Sequence, residues 1–244
     1  MVGTCNDFCP LKELQLRKKE RLLNKFETGK GLVPIKEYSR PSAGQASPDA
    51  LSIRTPETLL ECVAYIVQLI DRFIHREDPL QLYEFLQDRL RAVRQDMLVQ
   101  LVDPEIRQRI LSTCVRFHVV FGHILSNNPA FSAKLNSQHQ LECTKSCLLL
   151  PKYADDIGAI YLLSNMDSPS ALPWAIDQSS LKLISLSMTI ARSFALGNYV
   201  RFFRLLSRLP IMPKLASVRY AHLMCIQAMS TMAKAYKAKI ASFL

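Results

Sequence analysis

Apolar residues recur at steps of three and four through most of the chain, the spacing of a helix with one buried face. The clearest stripe is Leu82, Leu86, Leu90, Val93, Met97 and Leu101, which predicts an amphipathic helix over residues 83–100. Its flanks carry Glu84, Asp88, Arg89, Arg91, Arg94 and Asp96, more charge than an ordinary surface helix has reason to order. Asp88 and Arg91 stand three apart and are placed to pair. Arg89 and Asp96 stand seven apart beside the apolar stripe, where partial desolvation of their charges is expected. Two readings stay open on pattern alone: a solvated charged face, or a helix that holds neighbours in register or binds a partner.

Before residue 55 the pattern differs. Residues 11–26 read as a basic helix with a thin stripe of Leu14, Leu22, Leu23 and Phe26, ended by Gly29 and Gly31. Pro34, Pro41, Pro48 and Pro56 then fall among serines, too many prolines for regular structure. Residues 1–54 are therefore expected to form a basic helix and an extended arm that either wraps the core or stays mobile. Residues 55–244 read as a helical domain. Thr55-Pro56-Glu57 supplies an N-cap, a proline at the first helical position and an early acid, opening a helix to about residue 73 with Leu59, Leu60, Val63, Ile66, Val67 and Ile70 inward. Asp103-Pro104-Glu105 repeats the signal for a helix to about residue 126. Further helices are expected over 137–149, 152–163, 179–194, 199–207 and 216–243. A loop over 167–173, a Gly197-Asn198 turn and a break bracketed by Pro210 and Pro213 separate them. No fixed-period repeat is found, yet helix, turn, helix in series predicts an all-α fold, a right-handed stack of helical hairpins of the α-solenoid kind.

Composition supports this. Seven glycines in 244 residues argue against a turn-rich β architecture. No N-terminal stretch reads as a secretory signal, and no apolar run reaches the roughly 18 residues that span a bilayer. Seven scattered cysteines, an odd number, fit reduced thiols and an expected place in cytosol or nucleus. Charge is distributed unevenly: the net charge is +10, and no acidic residue follows Asp177. A field of one sign at one end suits a polyanionic partner, although it also serves solubility.

Catalytic and metal chemistry find little support. His118 and His123, five apart, point in different directions on a helix and read as polar-network residues. Cys5 with Cys9, and Cys143 with Cys147, lack a histidine to complete a zinc set, and no phosphate loop or activated nucleophile is present, so no enzyme, cofactor or metal is expected. The acid-free end is more informative. Arg201, Arg204 and Arg208 fall three and four apart in NYVRFFRLLSRLP, forming a ridge that Lys214 and Arg219 extend. Such a ridge suits phosphates, with Tyr199 available for stacking; the alternative is a helix with core aromatics and solvated arginines.

An ordered series of short motifs resembles the SAC/GANP family. It runs from Gly3-Thr4-Cys5-Asn6-Asp7-Phe8-Cys9-Pro10 through Ile35-Lys36-Glu37-Tyr38-Ser39-Arg40-Pro41-Ser42-Ala43-Gly44 and Arg54-Thr55-Pro56-Glu57-Thr58-Leu59 to Asp88-Arg89-Leu90-Arg91-Ala92-Val93-Arg94-Gln95-Asp96. Arg116-Phe117-His118, Gln138-His139-Gln140-Leu141 and Gly197-Asn198-Tyr199-Val200-Arg201-Phe202-Phe203 complete it. The resemblance implies a non-enzymatic, PCI-like helical scaffold. Large members are platforms of a nuclear-pore-associated mRNA export complex, with a PCI-domain partner, a small acidic subunit and a basic surface for RNA. Short members act in centrosome duplication, spindle assembly and mitosis. With no room for phenylalanine-glycine repeats, the chain is more similar to the short branch, which implies nucleus, centrosome and spindle as its places of action. The family's C-terminal winged helix is expected to be mostly or wholly missing from these residues. Within this resemblance Asp88, Arg89, Arg94 and Asp96 read as an internal polar clamp that holds the helical stack in register.

Overall fold

The computed structural model of the chain describes residues 2–40, 49–151, 153–178 and 180–236. The first helix, α1 (Leu11–Lys19), is shorter than its sequence suggests. Arg21 adopts a left-handed backbone with φ of 56°, which stops the helix before Leu22. Phe26 reaches the core from a separate 3-10 turn, Lys25–Glu27. The next three helices each start at a proline: α2 (Pro56–Phe73), α3 (Pro79–Leu98) and α4 (Pro104–Ile124). In each, the preceding side chain caps the first turn, Thr55 accepting from the Thr58 N–H, Asp78 from Leu80 and Asp103 from Glu105. Asp78-Pro79 thus carries the same signal as the other two pairs, and α3 begins one turn earlier than its apolar stripe suggests. The helix also ends at Leu98, so Leu101 lies beyond it and is 96% exposed, while the other five stripe residues are buried. On α2, Val67 faces solvent and Leu69 takes the core position.

Helix α5 (Ala133–Leu148) starts ahead of residue 137 because Ser132 caps it. Helix α6 (Asp155–Ser164) follows. The expected 167–173 loop gives way at Ala171 to a short helix, α7 (Ala171–Asp177), which buries Ala171 and Ala175 and sets the Trp174 ring edge-on to Tyr161 at 4.9 Å between centroids. Helices α8 (Lys182–Ala195) and α9 (Tyr199–Leu206) are joined by Gly197, whose φ of 65° suits glycine. Pro210 and Pro213 do not make a break. They open α10 (Ile211–Ala216), with Pro210 flanking it and Pro213 in the first turn, where a missing N–H removes no intrahelical bond. Helix α11 (Val218–Tyr236) comes last, and the remainder of the helix expected over 216–243 lies outside the described residues.

Consecutive helices α2 and α3, α4 and α5, and α8 and α9 pack on one another in an all-α stack of hairpins. Two apolar cores run through it. One joins Phe26 with α2 to α5 and ends at Ile157 and Ile160 of α6; the other starts at Tyr161 of α6 and takes in α7, α8, Phe202, Tyr220 and Met224. Serving both cores, α6 buries seven of its ten residues. Among the described residues there is no β-sheet, only a parallel bridge between Cys5 and Arg54. That bridge ties down the N-terminal arm: the Cys5 N–H donates to the Ile53 carbonyl (3.0 Å) and the Thr55 N–H to that of Cys5 (3.0 Å). Gly3 sits so close that a Cβ there would come within 2.5 Å of the Ile53 carbonyl oxygen. Further along, the Lys36 N–H donates to the Phe8 carbonyl (2.9 Å) and Gln95 to that of Ser39 (2.8 Å), so residues 2–40 wrap the stack across α3. Residues 41–48 of the proline-rich arm lie outside the described residues.

Candidate functional site

Buried arginines concentrate where the arm crosses α3. Arg54 is fully buried, and its Nε donates to Asp96 (2.8 Å), which also receives Lys36 (2.6 Å). Lys36 donates in addition to the Ser52 carbonyl (2.6 Å). Two turns along α3, Arg89 contacts Glu27 (3.3 Å), Glu37 (2.9 Å) and its neighbour Asp88. Arg17 of α1 joins the same group through Glu27, Glu37 (3.1 Å) and the Ile35 carbonyl (2.9 Å). Burial by itself would raise the Glu27 carboxyl, but Arg89, the Ile35 N–H and Arg17 outweigh it and hold it below the usual carboxylate range. Burial likewise opposes the charge on Arg89, and Glu27, Asp88 and Glu37 reverse the effect.

Of the four residues read as one clamp, Asp88, Arg89 and Asp96 therefore bind the arm, in two separate groups, and Arg94 joins neither. It points to α5, where its Nη1 donates to the Cys143 thiol (3.1 Å) and lies 4.0 Å from Glu142. Arg91, expected to pair with Asp88, instead stacks on the Tyr38 ring of the arm, 3.9 Å from its centroid. The pattern of α3 alone did not reveal Arg17, Glu27, Lys36 and Arg54, because their partners are distant in sequence. Lys36, Glu37 and Arg54 do sit inside the ordered motifs.

Other motif residues also hold helices together. His118 donates to Asn136 (2.8 Å) and stacks on His139 at 5.8 Å; burial pushes its pKa down to about 3. Arg116 makes a two-pronged pair with Asp156, both contacts at 2.9 Å. Gln140 donates to Ser164 (2.8 Å), linking α5 to α6. Cys143 and Cys147 are both buried on α5, and the Cys143 thiol is acidified by neighbouring Cys114, against burial and with help from Arg94. Among the described residues no three potential metal ligands converge. Cys5 and Cys9 are both buried, Cys5 in the bridge to Arg54 and Cys9 beside Arg17.

The C-terminal basic residues are arranged differently. Arg201, Arg204 and Arg208 are exposed along α9 and the turn after it, and among the described residues none makes an ion pair. Phe202 of the same helix is fully buried, whereas Phe203 is 37% exposed beside the basic residues and Tyr199 is half-buried. Lys214, half-buried on α10, reaches only the Ser207 carbonyl (3.5 Å). Arg219 departs from the group: it pairs with Asp167 at 3.2 Å and lies over the Tyr220 ring. Lys237 and Lys239 lie outside the described residues. No described helix is long and apolar enough to cross a membrane.

Comparison with known proteins gives these features a family. The family model described as SAC3/GANP matches residues 8–243. Protein xmas of Drosophila melanogaster is 28% identical over 234 residues, covering 84% of this chain and 11% of that protein. SAC3 family protein B of Arabidopsis thaliana is 27% identical over 246 residues, covering 84% and 14%. SAC3 family protein 1 of Schizosaccharomyces pombe is 29% identical over 168 residues, covering 65% and 16%. The chain thus spans about a tenth to a sixth of the length of these relatives. With a match over nearly its whole length, on helices held by the motifs described above, the chain belongs to the SAC3/GANP family.

Proposed function

We propose that the chain is a non-enzymatic helical scaffold of an mRNA export assembly, and that Arg201, Arg204 and Arg208 with Lys214 form its RNA-facing surface. The observation that carries this reading is the contrast in charge pairing. Arg17, Arg54 and Arg89 are buried and neutralised by carboxylates, whereas the arginines of α9 are exposed with no acidic partner among the described residues. Unneutralised arginines along an exposed helix suit phosphates, whose oxygens accept charge-assisted hydrogen bonds from them. Arg219, already paired, contributes less. In the same reading Asp88, Arg89 and Asp96 keep the arm seated and leave the outer faces of the stack for a PCI-domain partner and a small acidic subunit. Depletion in dividing cells should leave poly(A) RNA in the nucleus, and the isolated chain should bind single-stranded RNA with an affinity that falls as salt rises. RNA binding that ignores salt, or normal export after depletion, counts against it.

A second reading, a role at the centrosome and spindle in the cell cycle, draws support from the resemblance to short family members. It calls for abnormal centrosome numbers on depletion; normal centrosomes and spindles remove it.

A further inference from the structure

A cleft of about 160 Å³ opens between the last turn of α8 and the first turn of α9, lined by Thr189, Arg192, Ser193, Leu196, Asn198 and Arg201. Two arginines from different helices meet there, and among the described residues neither makes an ion pair. Most other hydrogen-bonding groups of the cleft are engaged within the protein. Ser193 donates to the Thr189 carbonyl (2.7 Å), Thr189 to that of Ser185 (3.0 Å), and the Asn198 side chain accepts the Arg201 N–H (3.0 Å). What the cleft offers a ligand is therefore chiefly donors: two guanidinium groups, planar and matched to the oxygens of a phosphate, beside the amide of Asn198.

We infer that this cleft binds a backbone phosphate of single-stranded RNA, with Arg192 and Arg201 as its two ligands. The inference rests on the RNA reading above and adds a residue that the α9 ridge does not contain. Two further observations favour a nucleic-acid strand over a free anion. Leu196 is 81% exposed at the rim, an apolar surface for a ribose or a base that inorganic phosphate cannot use. Arg201 is shared by cleft and ridge; from it Arg204 lies about 5 Å further along the helix at 1.5 Å per residue, and Arg208 follows in the turn after α9, a track for the phosphates that follow. Arg192 stands on the last turn of a largely apolar helix, which is why charge spacing in α9 gives no hint of it.

The test is fluorescence anisotropy of a labelled single-stranded RNA with the full chain across a KCl series, with circular dichroism to confirm folding. Arg192→Gln should weaken binding by about tenfold, the scale of one lost charge-assisted hydrogen bond. It should also reduce the salt slope by about 0.7, the value for one phosphate contact on a single strand. Arg192→Lys should restore the slope more than the affinity, because it keeps the charge and loses the fork. Excess inorganic phosphate should compete only as ionic strength does. If RNA binds but Arg192→Gln matches the parent while Arg204→Gln weakens it, the cleft is overturned and the ridge reading stands. If the parent chain does not bind RNA at low salt, both the cleft and the RNA surface are wrong; if the cleft captures only free phosphate, the cleft proposal alone is overturned.

Discussion

Arg54 and Arg201 show how differently the two ends of this molecule use one residue type. Arg54 is buried completely, shares Asp96 with Lys36, and anchors an arm that would otherwise have no regular structure. Arg201 lies in solvent on a helix that buries only Phe202, and no acidic residue follows Asp177 to neutralise it. The first 177 residues are formally neutral because their positive charges are matched by acids, many of them in contact. The same residue type therefore holds the fold together in one region and remains available to a partner in the other. What separates the two is the supply of carboxylates within reach, which a net charge of +10 conceals.

The sharpest way to break the comparison is to remove an acid from the arm. Asp96→Ala leaves Arg54 and Lys36 without their partner in a dry site, and losses of about 3–5 kcal/mol are typical of such changes. Urea denaturation should show a large drop in midpoint, and limited proteolysis should cut the arm first. A loss below about 1 kcal/mol, the range of surface pairs, would mean that these buried charges hold the fold no more tightly than exposed ones. Gly3→Ala probes the same arm through sterics alone. Its Cβ would meet the Ile53 carbonyl at 2.5 Å and the Arg54 carbonyl at 2.7 Å, so a cost of about 1–3 kcal/mol is expected, with RNA binding unchanged.

Acid provides a third probe of the N-terminal core. Burial holds the His118 pKa at about 3 and depresses that of His139 as well, with Arg94 adding to the effect on both. Because the unfolded chain takes up these protons below pH ~6.5 and the folded chain does not, stability is complete above that pH. It falls as the pH drops toward the folded value, by up to about 1.4 kcal/mol per unit for each histidine. Between about pH 6.5 and 5 the loss should be largely histidine-driven, since Glu27 contributes only nearer the usual carboxylate range. His118→Gln should flatten this part of the stability curve, even if it lowers the plateau.

Much of the fold was legible in the chain because its signals are local. Proline after a capping residue marks three helix starts, two of them read as such and the third, Asp78-Pro79, overlooked, and steps of three and four identify buried faces such as Leu82 to Met97. The misses occur where a local signal meets tertiary packing. Residues 167–173 look like a loop, yet Ala171 and Ala175 are pulled into the second core and force a turn of helix. Prolines 210 and 213 look like breakers and instead open α10. For the charged residues the limit is distance along the chain. The stripe on α3 singles out Arg89 and Asp96, but their partners lie in the arm up to 62 residues away. The exposed ridge of α9 needs no distant partner and could be read directly.

The smallest expected effect on stability tests the other side of the comparison. Arg204→Gln and Arg208→Gln remove charges with no partner among the described residues, so each should shift unfolding by no more than about 0.5 kcal/mol, as surface substitutions do. The same changes should lower RNA affinity and reduce the salt slope by about 0.7 apiece, because each removes one phosphate contact on a single strand. The pairing of these outcomes matters more than either alone. A stability loss as large as that of Asp96→Ala would make Arg204 and Arg208 part of the scaffold, whatever happened to RNA binding. A neutral effect on stability with an unchanged salt slope would leave them as solvated charges that keep the chain in solution. Unchanged stability with a reduced slope is the combination expected of a surface held open for a polyanion.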